Sequence, residues 1–251
     1  MLEFWRDLAD PDLAFLRYAL FTGLAAAVAF GITGAFVVSR RLAYMAGAIS
    51  HSALGGIGLV VFLGYHANLT GVSPMLGAAF SSLVAAGVIG WAGLRAHRRV
   101  DAVMSALWTG GMALGLILLA ATPGYRDPMS YLFGNILLVG PADFAAVCVL
   151  DVLLLVLAAW LYRPMLAASF DEEFTRLRGV PVGVLFFLIL GMTAVTIVVM
   201  IHVVGIVLVV ALLTLPAAAA AMFARHLWHM LVGAVAFGWL SVLIGFGSWY
   251  A

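Results

Sequence analysis

The sequence contains no lysine, only one cysteine, and very little charge of either sign. Charged residues occupy 9% of its 251 positions, against about 25% in an ordinary soluble domain. So sparse a set cannot clothe a water-facing surface, and lipid becomes the solvent for most of the chain. The single thiol, Cys148, excludes an internal disulfide. It lies in an apolar run and reads as a small buried hydrophobe. The net charge of +1 leaves no polybasic face for nucleic acid. The chain has no HExxH, no Walker-type GxxxxGK[ST], no CxxC pair and no glycine-rich phosphate loop. Any ATP-driven step would therefore need its ATPase in another chain.

What is present is apolar length. Hydrophobic residues make up 66% of the chain, and the mean hydropathy is +1.19. Polar breaks divide this material into runs at 13–38, 42–63, 74–94, 102–121, 144–161, 182–201, 203–224 and 228–250. Each is close to the roughly 20 residues that cross a bilayer as a helix. The runs are continuous rather than alternating, which favours helices over barrel strands. The sequence thus predicts an all-α integral membrane bundle of seven or eight crossing helices, forming one domain over 1–251. The acidic start, with Glu3, Asp7, Asp10 and Asp12, does not fit a signal peptide.

Arginine orients the bundle. Arg40, Arg41, Arg95, Arg98, Arg99, Arg163, Arg176, Arg178 and Arg225 fall in alternate connections, whereas Arg6, Arg17 and Arg126 lie toward the other side. The positive-inside rule makes the richer side cytoplasmic and places the N-terminus outside.

One apolar segment is too short to cross. MSYLFGNILLVG, residues 129–140, spans twelve positions between an outer loop and Pro141. It reads as a re-entrant or broken helix, which lipid tolerates only against protein or a water-filled path. This places it, with Asn135, beside the transport route. Gly31, Gly34, Gly55, Gly56 and Gly58 allow close helix approach, and plain packing suffices for most of them.

The longest hydrophilic stretch between runs is ASFDEEFTRLRGVP, residues 168–181. Asp171, Glu172 and Glu173 suit a helix N-terminus, and Arg176 and Arg178 suit its last turn. Gly179 fits a C-terminal stop, and Pro181 prevents continuation. Phe174 and Leu177, three apart, share one face. Two readings stand: an interfacial loop, or a helix that docks a cytosolic partner.

Ionisable groups within apolar runs are costly and often functional. His51, next to Ser50, could bind a borderline metal such as zinc or hydrogen-bond a neighbouring helix. Asp151 could pair with a neighbour or face an aqueous path. His202 reads as a boundary residue and His66 as a group near a pathway mouth. His97, His226 and His229 fall in or beside cytoplasmic segments.

Four blocks in order resemble one family. They are Arg40-Arg41-Leu42-Ala43-Tyr44 with Ile49-Ser50-His51-Ser52-Ala53; Tyr131-Leu132-Phe133-Gly134; Phe170-Asp171-Glu172-Glu173-Phe174 through Gly179-Val180; and Val203-Val204-Gly205-Ile206-Val207-Leu208-Val209 through Pro216-Ala217-Ala218. Together they resemble the transmembrane permease subunit of bacterial ABC importers for zinc, manganese and iron. The resemblance implies a divalent metal as cargo, with His51, Ser50, Asn135 and Asp151 along its path. It implies two permease copies, two cytosolic ATPases and an outside solute-binding protein. The segment holding Asp171, Glu172, Glu173, Phe174, Leu177, Arg178 and Gly179 would be the coupling element.

The chain departs from that pattern twice. The family usually carries an aspartate four residues before the span-two histidine, and here that position is Gly47. The site is then completed by the second copy, holds an ion only transiently, or serves another cargo. Family members also usually continue into one more helix, which this sequence does not show. Two alternatives follow: an ABC permease for a metal chelate or cobalamin-like cofactor, and an ATP-independent carrier.

Overall fold

The computed structural model describes residues 14–67, 71–95, 99–123, 128–134 and 136–249. Among these, every regular element is helical. The chain forms α1 (Ala14–Ser39), α2 (Ala43–His66), α3 (Pro74–Arg95) and α4 (Val100–Ala120). There follow α5 (Pro128–Phe133), a 3₁₀ turn (Ile136–Leu138), α6 (Pro141–Phe170) and α7 (Glu172–Leu177), and then α8 (Val182–Phe223) and α9 (Leu227–Trp249). Seven of these helices are long and apolar enough to cross a membrane. The chain is a multi-pass membrane protein.

At about 1.5 Å per residue, the 42 residues of α8 would measure about 63 Å if straight. That is twice the roughly 30 Å of hydrocarbon. The resolution is a break at Gly205, whose φ of 79° and ψ of 164° are not helical. The first arm starts where Phe186 and Phe187 meet Gly93 and Gly90 near the end of α3. It finishes with His202 beside Asp143, at the start of α6. The second arm returns past Gly34, against Leu213 and Ala217, and ends at Phe223, just before Arg225. The two arms match the two runs expected from sequence, joined three residues beyond His202.

Gly205 is held by a second left-handed glycine. Gly134, with φ of 60°, ends α5 and abuts it, backbone to backbone. A Cβ on Gly134 would lie 2.5 Å from the Gly205 nitrogen, and one on Gly205 would lie 2.4 Å from the Gly134 nitrogen. The short segment is therefore a broken helix, as expected. α5 packs on α8, and the 3₁₀ turn packs on α1.

Close approach through glycine recurs in α2. Gly56 meets the Gly77 carbonyl of α3, and Gly58 meets the Gly115 carbonyl of α4. α1 pairs with α9 and with both arms of α8, so α8 links the α2–α3–α4 group to the α1–α9 group. With no water to drive association, dispersion contacts and interhelical hydrogen bonds hold such helices together. Thr33 and Thr196 share one such bond at 3.0 Å.

α6 is longer than the apolar run 144–161 predicts. It continues through Pro164 to Phe170, because a proline inside a membrane helix removes only one bond that neighbours can compensate. Its start is fixed by Pro141 in the first turn and by Asp143, whose Oδ2 accepts the Gly140 N–H at 2.9 Å.

Candidate functional site

Within residues 171–180 lies the small helix α7, Glu172–Leu177, with its cap and its closing turn. Asp171 caps it, its carboxylate accepting the Phe174 N–H at 2.9 Å. Thr175 is 2% exposed, and its hydroxyl donates to the Asp171 carbonyl at 2.6 Å. At the far end the Val180 N–H reaches back to the Thr175 carbonyl at 3.3 Å. That return requires the left-handed turn that Gly179 supplies, with φ of 81°.

α7 is pinned to the bundle by Arg40. This guanidinium, 13% exposed, donates to the Ala168 carbonyl at the end of α6 and to Glu172 Oε2 at 3.3 Å. Glu172 also pairs with Arg176 at 3.3 Å, and Arg178 lies over the Phe174 ring at 4.9 Å. Phe174 and Leu177 remain 53% and 82% exposed. A capped helix at the arginine-rich end thus presents two apolar side chains that its own chain does not cover.

His51 sits on α2 against α4. Its ring stacks on Trp108 with centroids 4.6 Å apart, and Trp108 stacks on Tyr44 at 5.3 Å. The Tyr44 hydroxyl shares a hydrogen bond with Ser105 at 3.1 Å. His51 Nδ1 is buried and has no hydrogen-bond partner among the described residues. Position 47, one turn earlier, has no room for a side chain. A Cβ there would lie 2.1 Å from Cζ3 of Trp108. The indole fills the space in which a carboxylate at 47 would stand.

Ser50 and Asp151 are both buried. Ser50 is fully buried and donates to the Ile206 carbonyl of α8 at 3.3 Å. Asp151 is buried in α6, and its Oδ1 has no hydrogen-bond partner among the described residues. Asn135 lies outside the described residues. No hydrogen bond, ion pair or ring contact joins His51, Ser50 and Asp151 to one another among the described residues. No cluster of three or more His, Cys, Asp or Glu that could hold a metal is found there either.

Sequence reasoning missed two participants. Trp108 lies in an apolar run with nothing to separate it from other aromatics, and only the α2–α4 packing brings it to His51. Asp143 stands just before the run 144–161 with nothing local to single it out, yet its Oδ1 lies 3.5 Å from His202 Nε2.

A broken-helix membrane bundle with a pinned helix at one end, two of whose apolar side chains stay exposed, defines the class: a multi-pass membrane permease. Residues 12–250 match the ABC 3 transport family, and the chain belongs to that family. It is 35% identical to a probable metal transport system membrane protein of Chlamydia trachomatis, over 85% of this chain and 73% of that one. It is 32% identical to the manganese transport system membrane protein MntC of Listeria monocytogenes, over 92% and 80%. Its fold is similar to a chain of PsaBC from Streptococcus pneumoniae in complex with Fab. The TM-score is 0.84 at 29% identity, covering 100% of this chain and 87% of that one.

Proposed function

We propose that the chain is the permease of an ATP-driven importer of divalent metal cations, with manganese, zinc and iron as the candidate cargoes. The metal assignment is supported by the relatives that carry metal and manganese transport in their names. The single observation that carries the ATP-driven part is α7, with Phe174 and Leu177 uncovered and Arg40 tying it to α1 and α6. A carrier that works without ATP has no use for such a helix.

The arginine-rich end is then cytoplasmic, and the chain lies in the inner membrane with its N-terminus outside. Two cytosolic ATPases receive the two α7 helices of a permease homodimer. A solute-binding protein delivers cargo to the opposite face, and ATPase closure pulls α7 to switch the path between outward-open and inward-open. Each chain supplies the His51 imidazole within the membrane, and the two-fold of a homodimer brings the same group from the second copy. Ser50 supports the α2–α8 contact beside it. Asp151 and the 128–140 segment, Asn135 included, belong to the walls.

A second reading, a metal chelate or cobalamin-like cofactor as cargo, is favoured by one observation. The Trp108 indole stands where a metal-binding carboxylate at 47 would be, and a flat organic ligand suits an aromatic face better than a bare cation does.

The test is uptake of manganese, zinc and iron by cells in which the chain and its neighbouring transport genes are deleted and then restored. Restoration of uptake of one of these ions, lost again in His51→Ala with assembly intact, is expected. Uptake unchanged by deletion would refute the importer reading, and uptake unchanged by His51→Ala would remove His51 from the path.

A further inference from the structure

Asp143 and His202 meet at the end of the bundle opposite α7. His202 closes the first arm of α8, and Asp143 lies in the first turn of α6. Their Nε2 and Oδ1 atoms are 3.5 Å apart, with side-chain exposures of 62% and 28%. Beside them is a cavity of about 240 Å³, lined also by Ser130, Tyr131 and the Met75 side chain. The pair is neither buried core nor free surface: it forms the charged wall of a small recess whose other walls, Leu138, Val139 and Ile201 among them, are largely apolar.

The spacing is long for a hydrogen bond, which is best near 2.9 Å. It suits a different arrangement. Two donors each about 2.1 Å from one metal ion lie about 3.4 Å apart in a tetrahedral site and about 3.0 Å apart in an octahedral one. One ion could therefore bridge Nε2 and Oδ1 with almost no movement of either side chain. Imidazole with carboxylate is a donor pair that first-row divalent ions accept. Asp143 is already oriented, because its second oxygen accepts the Gly140 N–H, the kind of supporting bond that fixes a ligand.

From this geometry we infer that Asp143 and His202 form a receiving site for a divalent cation at the outer mouth of the path, distinct from His51. With two protein donors, water fills the remaining positions, and binding is weak enough to release the ion inward. His202 stands three residues before the Gly205 break, and Gly134, which interlocks with Gly205, lines the same recess. A change of angle at Gly205 would move His202 relative to Asp143. The site would then be assembled in one state of the bend and parted in the other.

This inference rests on the metal-importer reading, and its test separates the two. Co²⁺ is added to the metal-free, full-length permease in lipid nanodiscs, because its visible absorption reports imidazole and carboxylate donors directly. Asp143→Asn, His202→Ala and the double variant are compared with wild type and His51→Ala. Asp143→Asn keeps an oxygen to accept the Gly140 N–H, and melting temperature in metal-free buffer shows which variants remain folded. The expected result is a Co²⁺ band kept in His51→Ala and weakened at least about tenfold in each folded mouth variant, as loss of a ligand or its support commonly does. In cells, the same variants slow metal uptake at limiting concentration and recover at excess. Overturning results are a band and affinity unchanged in the mouth variants, or no Co²⁺ binding to wild type while its metal uptake persists. Absence of metal uptake by wild type would instead defeat the importer reading itself.

Discussion

A side chain at position 47 and the indole of Trp108 exclude one another: the Cβ of any residue but glycine would fall 2.1 Å from Cζ3 and 2.4 Å from Cη2. The two positions are therefore coupled, although 61 residues apart in sequence. Trp108 in turn is the surface on which His51 rests.

Gly47→Ala should destabilise the permease by about 1–3 kcal/mol, the usual cost of overpacking a filled space. Trp108→Ala should cost about as much or more by emptying that space. The double variant should be more stable than the sum of the two single losses implies, by about 0.5–3 kcal/mol. Thermal unfolding in detergent measures all three. Strict additivity would show that the two positions do not compete.

Phe174→Asp with Leu177→Asp should leave the permease folded and membrane-inserted, since both side chains are uncovered in the chain itself. Co-purification of its ATPase should fall below detection. Retained co-purification would count decisively against α7 as the docking element.

Arg40→Ala should uncouple rather than unfold. It removes the donors to Ala168 and Glu172, and hydrogen bonds involving a charged group contribute about 1.5–3 kcal/mol. Cargo moved per ATP hydrolysed should drop while the ATPase still binds. Arg40→Lys should restore little, because an ammonium lacks the planar fork that reaches two acceptors at once. Full coupling in Arg40→Lys would show that charge alone suffices there.

Gly205→Ala and Gly134→Ala should each sharply reduce the yield of monodisperse protein on size exclusion. Each glycine has positive φ, and each faces the other's backbone at 2.4–2.5 Å from a hypothetical Cβ. The conformational cost alone is about 1–2 kcal/mol, and rigid backbone cannot give way as a side-chain tip can. Wild-type yield from either variant would mean that the bend opens freely.

Most of the architecture is legible in the sequence because hydrocarbon imposes a length on every crossing segment. The runs 42–63 and 74–94 reappear as α2 and α3 within a few residues. The 168–181 stretch is equally readable, since Asp171, Gly179 and Pro181 are local signals of where a helix starts and stops. α6 outruns its expectation because Pro164 is punctuation in water but a tolerated defect among packed helices. The break between the two arms of α8 is marked by His202, which divides the runs 182–201 and 203–224, but its place at Gly205 is not, because VVGIVLVV is apolar on both sides of the glycine. The candidate sites are harder still. Trp108 against His51 and His202 against Asp143 are contacts between separate helices, set by packing that no local pattern encodes.

The glycine contacts of α2 also determine where motion can occur. Gly56 on Gly77 and Gly58 on Gly115 bring main chain against main chain, with no intervening layer of rotatable groups to slide. α2, α3 and α4 must therefore travel as one slab. The seam available for shear is the side-chain-filled boundary between that slab and α8, where Ser50 reaches Ile206 and the phenyl rings of Phe186 and Phe187 lie against α3. A stroke arriving from the arginine-rich end would be taken up along this boundary, as slip of the slab past α8, with the Gly205 break the place where α8 itself can change angle.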